Sequence, residues 1–440
     1  MSDRDVVREA VARIRSGPVT TGVIGLGYVG LPLALLCARR LGTVVGLEAD
    51  PERVEAARAC RPYIADVPAA ELQEAARAGF RATTDPAELA GCDVIVICVP
   101  TPLRKTRDPD LSYIIQSVEA VAAHMRPGKL IVLESTSYPG TTDELVRPYL
   151  EKDGLTAGRD FFLAFSPERI NPGPAYRKFN LVNTPKVVGG ITPACTEVAA
   201  AFYGKIVQTV VPVSNSRAAE MVKLIENTYR SVNIALANEL AQMCNELGVD
   251  VWEVVDAART KPYGFEAFYP GPGLGGHCIP VDPFYLAWKA RLHGIEPRFI
   301  DLAGRVNAEM PRHVVRLVTD LLNEAARPVR DSRVHVLGVA YKPDVADTRE
   351  SPALPIMESL RRKGACLSYT DAHVPSVRLA GGEELRSVPL ADADLPGADL
   401  VLIVTDHADF PWGEIVSQSR RILDTRNVLK DFREPHIRKL

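Results

Sequence analysis

No two cysteines of the chain are spaced Cys-x-x-Cys, neither sign of charge dominates, and no apolar run is long enough to cross a bilayer. The eight cysteines, Cys37, Cys60, Cys92, Cys98, Cys195, Cys244, Cys278 and Cys366, are scattered singly, most of them among apolar residues. A chain of 440 residues has room for a core and needs no disulfide framework. Reduced thiols in a reducing compartment are expected, and the question becomes which one reacts. The 52 basic and 55 acidic residues leave a net charge of −3. No global field therefore attracts nucleic acid or an anionic membrane, although a local basic pocket for a small phosphorylated ligand stays open. The longest apolar stretch, Gly22–Cys37, is too short and too glycine-rich to span a membrane. Met1–Gly17 is charged and amphipathic with no signal-peptide core, so a cytoplasmic protein is expected. There is no short-period repeat and no low-complexity tract. At 46% hydrophobic and 24% charged residues, the composition is that of a globular protein, and the length suggests two to four domains.

What is present is an alternation of short Val/Ile-rich runs with helical patterns. Thr21–Ile24, Val44–Leu47, Val94–Val99, Leu130–Glu134, Phe161–Phe165 and Lys186–Val188 read as buried parallel strands, with Val29–Leu41 a helix between the first two. This doubly wound α/β pattern ends near Pro212. Ser214–Leu247 then reads as one long helix, capped by Ser214 or Asn215. Its apolar residues Met221, Leu224, Ile225, Tyr229, Val232, Leu236 and Leu240 recur at three- and four-residue spacing, and Ile234, Ala235, Ala237 and Met243 form a second apolar face. A Pro/Gly-rich loop, Pro262–Pro283, precedes further helix to about Ala326. Val334–Val339, Cys366–Thr370, Leu400–Thr405 and Ile422–Thr425 return to strand, so the two α/β ends resemble each other.

Gly25-Leu26-Gly27-Tyr28-Val29-Gly30 follows the first strand and opens a helix. The first glycine allows the tight turn, the second a close backbone approach to a pyrophosphate, and the third close packing of helix on strand. The helix N-terminus supplies partial positive charge. Glu48 ends the second strand about 20 residues on, where a carboxylate accepts hydrogen bonds from a ribose and repels a 2′-phosphate. The expected cofactor is NAD. Arg53 lies either near the adenine or on a solvated helix face.

The second unusual segment is Gly271-Pro-Gly-Leu-Gly275-Gly276-His277-Cys278-Ile-Pro-Val-Asp282. Its glycines allow close approach to a ligand, and His277 or local amides favour a thiolate at Cys278. A metal site is not expected, because His277 and Cys278 are adjacent and no second ligand pair appears. A dinucleotide beside a reactive thiol suggests oxidation of an aldehyde through a hemithioacetal to a thioester, which water then hydrolyses.

With these motifs the chain resembles the UDP-glucose/GDP-mannose dehydrogenase family of nucleotide-sugar 6-dehydrogenases. The resemblance runs from about Thr21 to Leu429 and includes Val99-Pro-Thr-Pro102, Glu134-Ser-Thr136 before Pro139-Gly-Thr-Thr142, Ser166-Pro-Glu-Arg169, Lys223-Leu-Ile-Glu-Asn227, Gly271–Asp282, and Ala340-Tyr-Lys-Pro343 before Arg349-Glu-Ser-Pro352. It looks most like the bacterial branch that includes UDP-N-acetylglucosamine 6-dehydrogenases. The resemblance implies two Rossmann-like domains joined by a long central helix. Residues 1–212 are expected to bind NAD, 213–326 to form a helical middle domain carrying the thiol loop, and 327–440 to bind the nucleotide sugar in a cleft against the first domain. It implies four-electron oxidation of a UDP- or TDP-hexose at C6, and a homodimer or higher oligomer through the central helix.

By the same resemblance, Cys278 is the nucleophile, Lys223 and Asn227 bind the oxygen on C6, and Thr136 works with an ordered water. Glu168 does acid/base work, and Asp282 positions Lys223 or the water. Pro100, Thr101, Ser135, Thr136 and Arg349 lie toward the cofactor. Glu168, Arg169, Arg259, Tyr269, Gly275, Gly276 and Lys342 lie toward the substrate. Tyr263, Phe265, Phe268 and Tyr269 pack either on the nucleotide base or in the core. Where many UDP-glucose enzymes carry a second acidic residue after the glutamate motif, this chain has Ile170-Asn171-Pro172-Gly173, which leaves the proton-transfer roles open. The alternatives are a two-electron β-hydroxyacid-type dehydrogenase, which needs no Cys278, and a non-catalytic nucleotide sensor, which needs no nucleophile.

Overall fold

The computed structural model describes residues 3–64, 66–104, 108–170, 178–276 and 278–440. The chain divides into two compact units, Met1–Glu226 with Phe284–Gly294, and Asn227–Pro283 with Ile295–Leu440.

The first unit is built on β1 (Thr21–Ile24), β2 (Val44–Leu47), β3 (Phe80–Thr83), β4 (Val94–Ile97), β5 (Leu130–Leu133), β6 (Phe162–Phe165), β7 (Lys186–Gly190) and β8 (Val210–Pro212). They form one sheet in the order β3-β2-β1-β4-β5-β6-β7-β8. Its helices are α1 (Asp3–Ser16), α2 (Gly30–Leu41), α3 (Pro51–Arg58), α4 (Ala69–Ala78), α5 (Ser112–Ala122), α6 (Arg147–Leu150) and α7 (Pro193–Tyr203). Strand side chains alternate between faces. Val23, Val94, Val96 and Val132 pack into one core, and Ile24, Ile95, Ile97 and Leu133 into the other. Both faces are covered, which is why these strands read as unbroken apolar runs. The order reverses at β1 and β4, so their C-terminal ends frame the crevice where such sheets take ligands.

One pairing departs from the parallel set expected. β6 and β7 run antiparallel, with Ala164 opposite Gly190 and Phe165 opposite Gly189. Among the described residues their connection carries no crossover helix, and a parallel pair requires a long crossover. The reversal has a use: the same register, continued, sets Glu168 against Lys186.

The helix α8 (Ser216–Leu247) is 32 residues long and runs from one unit into the other. Asn215 caps it, its Oδ1 accepting from the Ala218 amide at 2.8 Å; such a cap contributes about 1 kcal/mol. The apolar spacing divides between sides of the helix: of the first set Leu224 is buried and Met221 and Val232 are half-buried, and Ala235 and Ala237 of the second face are buried. Ile225, Tyr229, Leu236, Leu240, Met243 and Leu247 are exposed, whereas Ala219, Glu220, Lys223, Leu224, Ala235, Ala237, Asn238 and Ala241 are buried. Small and functional polar residues line the packed side, and hydrophobic periodicity does not see them.

The second unit contains α9 (Val251–Arg259), α11 (Arg298–Glu324) and a smaller sheet; α10 (Asp282–Leu292) crosses the boundary between units. Its strands are β9 (Arg333–Leu337), β10 (Cys366–Thr370), β11 (Ser376–Arg378), β12 (Glu384–Arg386), β13 (Leu400–Ile403), β14 (Ile422–Asp424) and β15 (Ile437–Lys439), and its helices are completed by α12 (Ala353–Arg362) and α13 (Trp412–Gln418). The order β10-β9-β13-β14-β15, all parallel, repeats the winding of β2-β1-β4-β5-β6. The two sheets share details as well. Gly25 after β1 has φ +88° and Gly338 after β9 has φ +77°. Asp371, just past β10, accepts from the Val339 and Ala340 amides at 2.8 and 3.0 Å, as Glu48 past β2 accepts from the Leu26 amide at 2.8 Å. Asp371 also accepts from the His373 and Val374 amides and from His407 Nε2 at 3.0 Å. Among the described residues no helix is long and apolar enough to cross a membrane.

Candidate active site

The three glycines after β1 have separate tasks. A side chain at Gly25 would strike the Cys98 carbonyl at 2.8 Å, and one at Gly30 would sit 1.8 Å from the Gly25 oxygen, so both are needed for the turn itself. A Cβ on Gly27 would meet nothing within 4 Å. Space at the second glycine is what a pyrophosphate requires. Val29 precedes α2 with no side-chain cap, the Leu31 amide closes the turn onto the Gly27 carbonyl at 3.0 Å, and Tyr28 is exposed. Glu48 is buried; its Oε2 takes the Leu26 amide and its Oε1 the Asp50 amide at 3.1 Å, which fixes the carboxylate at the end of β2. Arg53 lies 4.0 Å from Glu48 and 3.5 Å from Asp50. It and Asp50, Arg61 and Tyr63 line an open pocket. These residues fit a dinucleotide: the open space at Gly27 and the N-terminal end of α2 for the phosphates, Glu48 for a ribose.

A second cluster gathers at the far ends of β5, β6 and β7. Glu168 Oε1 accepts from the Arg169 and Ile170 amides at 2.8 and 2.6 Å. Its Oε2 lies 3.4 Å from Lys186 Nζ, which is 3.0 Å from Glu134 Oε2. The Tyr203 hydroxyl donates to Glu134. All four residues are buried. Burial alone would lower the Lys186 ammonium, but the two carboxylates outweigh it and hold the group protonated well above its usual range. Burial raises the Glu134 carboxyl. Removing one member of such a set typically costs about 3–5 kcal/mol, because a charge is left without its counterion. Lys223 Nζ donates to the Glu168 carbonyl at 2.7 Å, tying α8 to the same segment. One turn earlier, the buried Glu220 accepts from the Gly140 and Thr142 amides and the Thr142 hydroxyl, and burial pushes it up to about 7. Thr136 is half-buried between β5 and this anchored turn, and Ser135 is buried with its hydroxyl 3.3 Å from the Ile97 carbonyl. Exposed Pro100 and half-buried Thr101 follow β4, where the Tyr285 hydroxyl donates to the Thr101 carbonyl.

In the second unit Asp282 joins two predicted residues. Its amide donates to the Cys278 carbonyl at 2.7 Å, and its carboxylate accepts from Asn227 Nδ2 at 2.5 Å. The sequence pointed to Lys223 or a water as what Asp282 serves; the bond to Asn227 is a contact beyond those. Cys278 is half-buried and no cysteine is disulfide-bonded. By contrast, burial raises the thiols of Cys37, Cys98 and Cys195 and takes Cys92 up to about 11, all against the thiolate. His277 lies outside the described residues, as do Asn171, Pro172 and Gly173.

The loop glycines serve packing more than ligand approach. A Cβ on Gly275 or Gly276 would meet Tyr341 at 2.8 Å, and the Gly276 amide donates to the Arg349 carbonyl at 3.2 Å. This docks the thiol loop on the segment that carries Lys342, whose Nζ lies 5.4 Å from the Tyr341 ring centroid. Arg349 forks onto Asp347, and Arg169 pairs with Glu226 at 2.6 Å. Tyr269 stacks on Trp252 and donates to Asp256, Phe268 meets Tyr229 edge-on, and Tyr263, Phe265 and Arg259 are exposed. Sequence reasoning missed Lys186 and the partnership of Glu134. The available signal was a lysine opening an otherwise apolar strand.

Residues 19–207, 217–309 and 335–431 match, in turn, the NAD binding domain, the central domain and the UDP binding domain of the UDP-glucose/GDP-mannose dehydrogenase family. The chain belongs to that family. It is an NAD-dependent nucleotide-sugar dehydrogenase, with NAD as its cofactor. It is 36% identical over 416 residues to a UDP-N-acetyl-D-mannosamine dehydrogenase of Pyrococcus horikoshii, covering 93% of this chain and 96% of the relative. It is 36% identical over 427 residues to an NDP-N-acetyl-D-galactosaminuronic acid dehydrogenase of Ralstonia nicotianae, covering 93% and 96%. A UDP-N-acetyl-D-glucosamine 6-dehydrogenase of Pseudomonas aeruginosa is 35% identical over 390 residues, covering 88% and 90%. The solved structure of the Pyrococcus horikoshii UDP-D-ManNAc dehydrogenase is similar with a TM-score of 0.86 at 34% identity, covering 96% of this chain and 98% of that one.

The glycine geometry separates binding from folding. Gly27→Ala is expected to leave the melting temperature unchanged but weaken NAD binding roughly tenfold or more, about 1.4 kcal/mol. Gly30→Ala is expected to lower the melting temperature itself. Calorimetric titration with NAD beside thermal unfolding checks both.

Proposed function

We propose that the protein oxidises C6 of a UDP-linked 2-acetamido hexose from alcohol to carboxylate, with Cys278 as the covalent nucleophile. The observation that carries this reading is the position of Asp282, bonded through its backbone to Cys278 and through its carboxylate to Asn227. A hydride-only dehydrogenase or a sensor has no use for a built thiol loop. The sugar class follows from the relatives, whose names share an N-acetylated hexose. UDP-glucose and a TDP-hexose are the alternatives on this scaffold.

The reaction balances as one alcohol, two NAD+ and one water giving one carboxylate, two NADH and three protons. When bound, NAD supplies the hydride acceptor for both oxidations. The remaining work falls to the protein. Lys223 and Asn227, four apart on α8 and therefore on one side of it, hold the C6 oxygen and stabilise its negative charge. The Cys278 thiolate adds to the aldehyde carbon, and the second oxidation leaves a thioester. Water then adds to the thioester carbon while Glu168 takes its proton, and the carbon–sulfur bond breaks to return the thiolate. Asp282 orients Asn227, Thr136 holds a water, and Lys342 faces the diphosphate or sugar. Residues 1–212 hold the cofactor and 327–440 the nucleotide of the substrate.

A second copy of the chain covers α8. Six large apolar side chains, Ile225 through Leu247, lie exposed along it. Such a stripe marks an association surface.

Cys278→Ala is expected to retain NAD binding and lose the four-electron product. Wild type should form two NADH per carboxylate, scored by absorbance and product mass across a panel of UDP- and TDP-sugars. One NADH per product, or unchanged turnover in the variant, would sink the mechanism. For the assembly, Leu236→Glu with Leu240→Glu is expected to convert a dimer into a monomer in sedimentation velocity.

A further inference from the structure

Lys186 belongs to none of the motifs that carry the resemblance, yet its ammonium is the most enclosed cation near the predicted chemistry. It opens β7 with 5% of its surface exposed. It lies between Glu134 and Glu168, at 3.0 and 3.4 Å. The Glu168 carboxylate faces three donors: the Arg169 amide, the Ile170 amide and this ammonium. Three donors from two sides hold its two oxygens in one orientation.

Glu134 makes the arrangement a shared one. It takes the Tyr203 hydroxyl on one oxygen and Lys186 on the other. One buried cation therefore serves two buried anions, and whatever loosens the Glu134 contact strengthens the contact to Glu168. The other titratable groups facing the cluster are the Cys98 thiol past β4, the Cys37 thiol on α2 and Tyr203 on α7, all neutral by burial. Arg169 is engaged by Glu226, and Lys223 reaches the Glu168 carbonyl.

We propose that Lys186 is a positioning residue of the reaction: its ammonium, divided between Glu134 and Glu168, holds and aims the Glu168 carboxylate, so that Glu168 enters thioester hydrolysis as a proton acceptor. This rests on the reading of Glu168 above. In the step concerned, the water oxygen bonds to the thioester carbon and one water proton passes to Glu168. The carbon–sulfur bond then breaks, the electron pair leaves with Cys278, and Glu168 releases its proton to solvent.

The test is the pH dependence of turnover in four proteins: wild type, Glu168→Gln, Glu134→Gln, and Glu134→Gln combined with Lys186→Met. Lys186→Met alone would strand two buried anions. The double variant removes one charge of each sign and keeps the cluster balanced. Glu134→Gln is expected to move the acid limb of kcat to lower pH, because the ammonium then serves Glu168 alone. The double variant is expected to move the same limb upward by about one pH unit, a tenfold loss of rate at a fixed acidic pH. NAD binding should be unchanged in both, and Lys186→Arg should keep the wild-type limb. If Glu168→Gln collapses turnover while neither variant moves the acid limb, or if the alkaline limb moves instead, the role of Lys186 is overturned and the assignment of Glu168 stands. Full turnover in Glu168→Gln would remove that assignment itself. Should the double variant not fold, the downward movement in Glu134→Gln decides the matter alone.

Discussion

A charge buried in protein must be paired, and the first unit is organised around meeting that condition at one place. Lys186, Glu134, Glu168 and Tyr203 come from three strand ends and a helix, and none of the charged ones is stable there without the others. The requirement explains the single antiparallel pairing in the sheet. Only a reversed β7 brings its first residue back to the end of β6 where Glu168 sits. Lys223 then fastens α8 to the same segment through the Glu168 carbonyl. Sheet topology, helix position and candidate chemistry are thus consequences of one electrostatic condition.

The helix α8 carries the second constraint. Its packed side accommodates Glu220, Lys223 and Asn238 in register with the loops that they hold, which leaves little room for large apolar residues beside Leu224. Small residues such as Ala219, Ala235 and Ala241 let neighbouring chain approach. The large ones collect on the opposite side. An exposed stripe of large apolar side chains is the kind of surface used for association, so under the dimer proposed above assembly and candidate chemistry share the same 32 residues.

The fold was legible in the sequence wherever the physics was local. Thr21–Ile24, Val44–Leu47 and Cys366–Thr370 agree to the residue, because buried strands and glycine turns leave short-range signatures. The glycine-rich loop pointed to Cys278 by itself, and the resemblance supplied the family and the candidate residues Asn227, Lys223 and Glu168. What was not legible was pairing across distance. Lys186 lies 18 residues from Glu168, and its role depends on strand direction, which no local pattern encodes. On α8 periodicity found apolar residues on both sides without telling the buried Leu224, Ala235 and Ala237 from the exposed Leu236 and Leu240. At the glycines 275 and 276 the sequence did not show that Tyr341 packs where a side chain would stand.

The two sheets share a winding, and each places an acid past its second strand. At Glu48 each carboxylate oxygen takes one backbone amide and the side chain keeps a solvent-facing edge. At Asp371 four amides and an imidazole saturate the carboxylate and no surface remains. One acid is a hook and the other a rivet. A ribose can compete for the first and has nothing to grasp at the second, so two copies of one scaffold in the same chain are not rivals for the same dinucleotide.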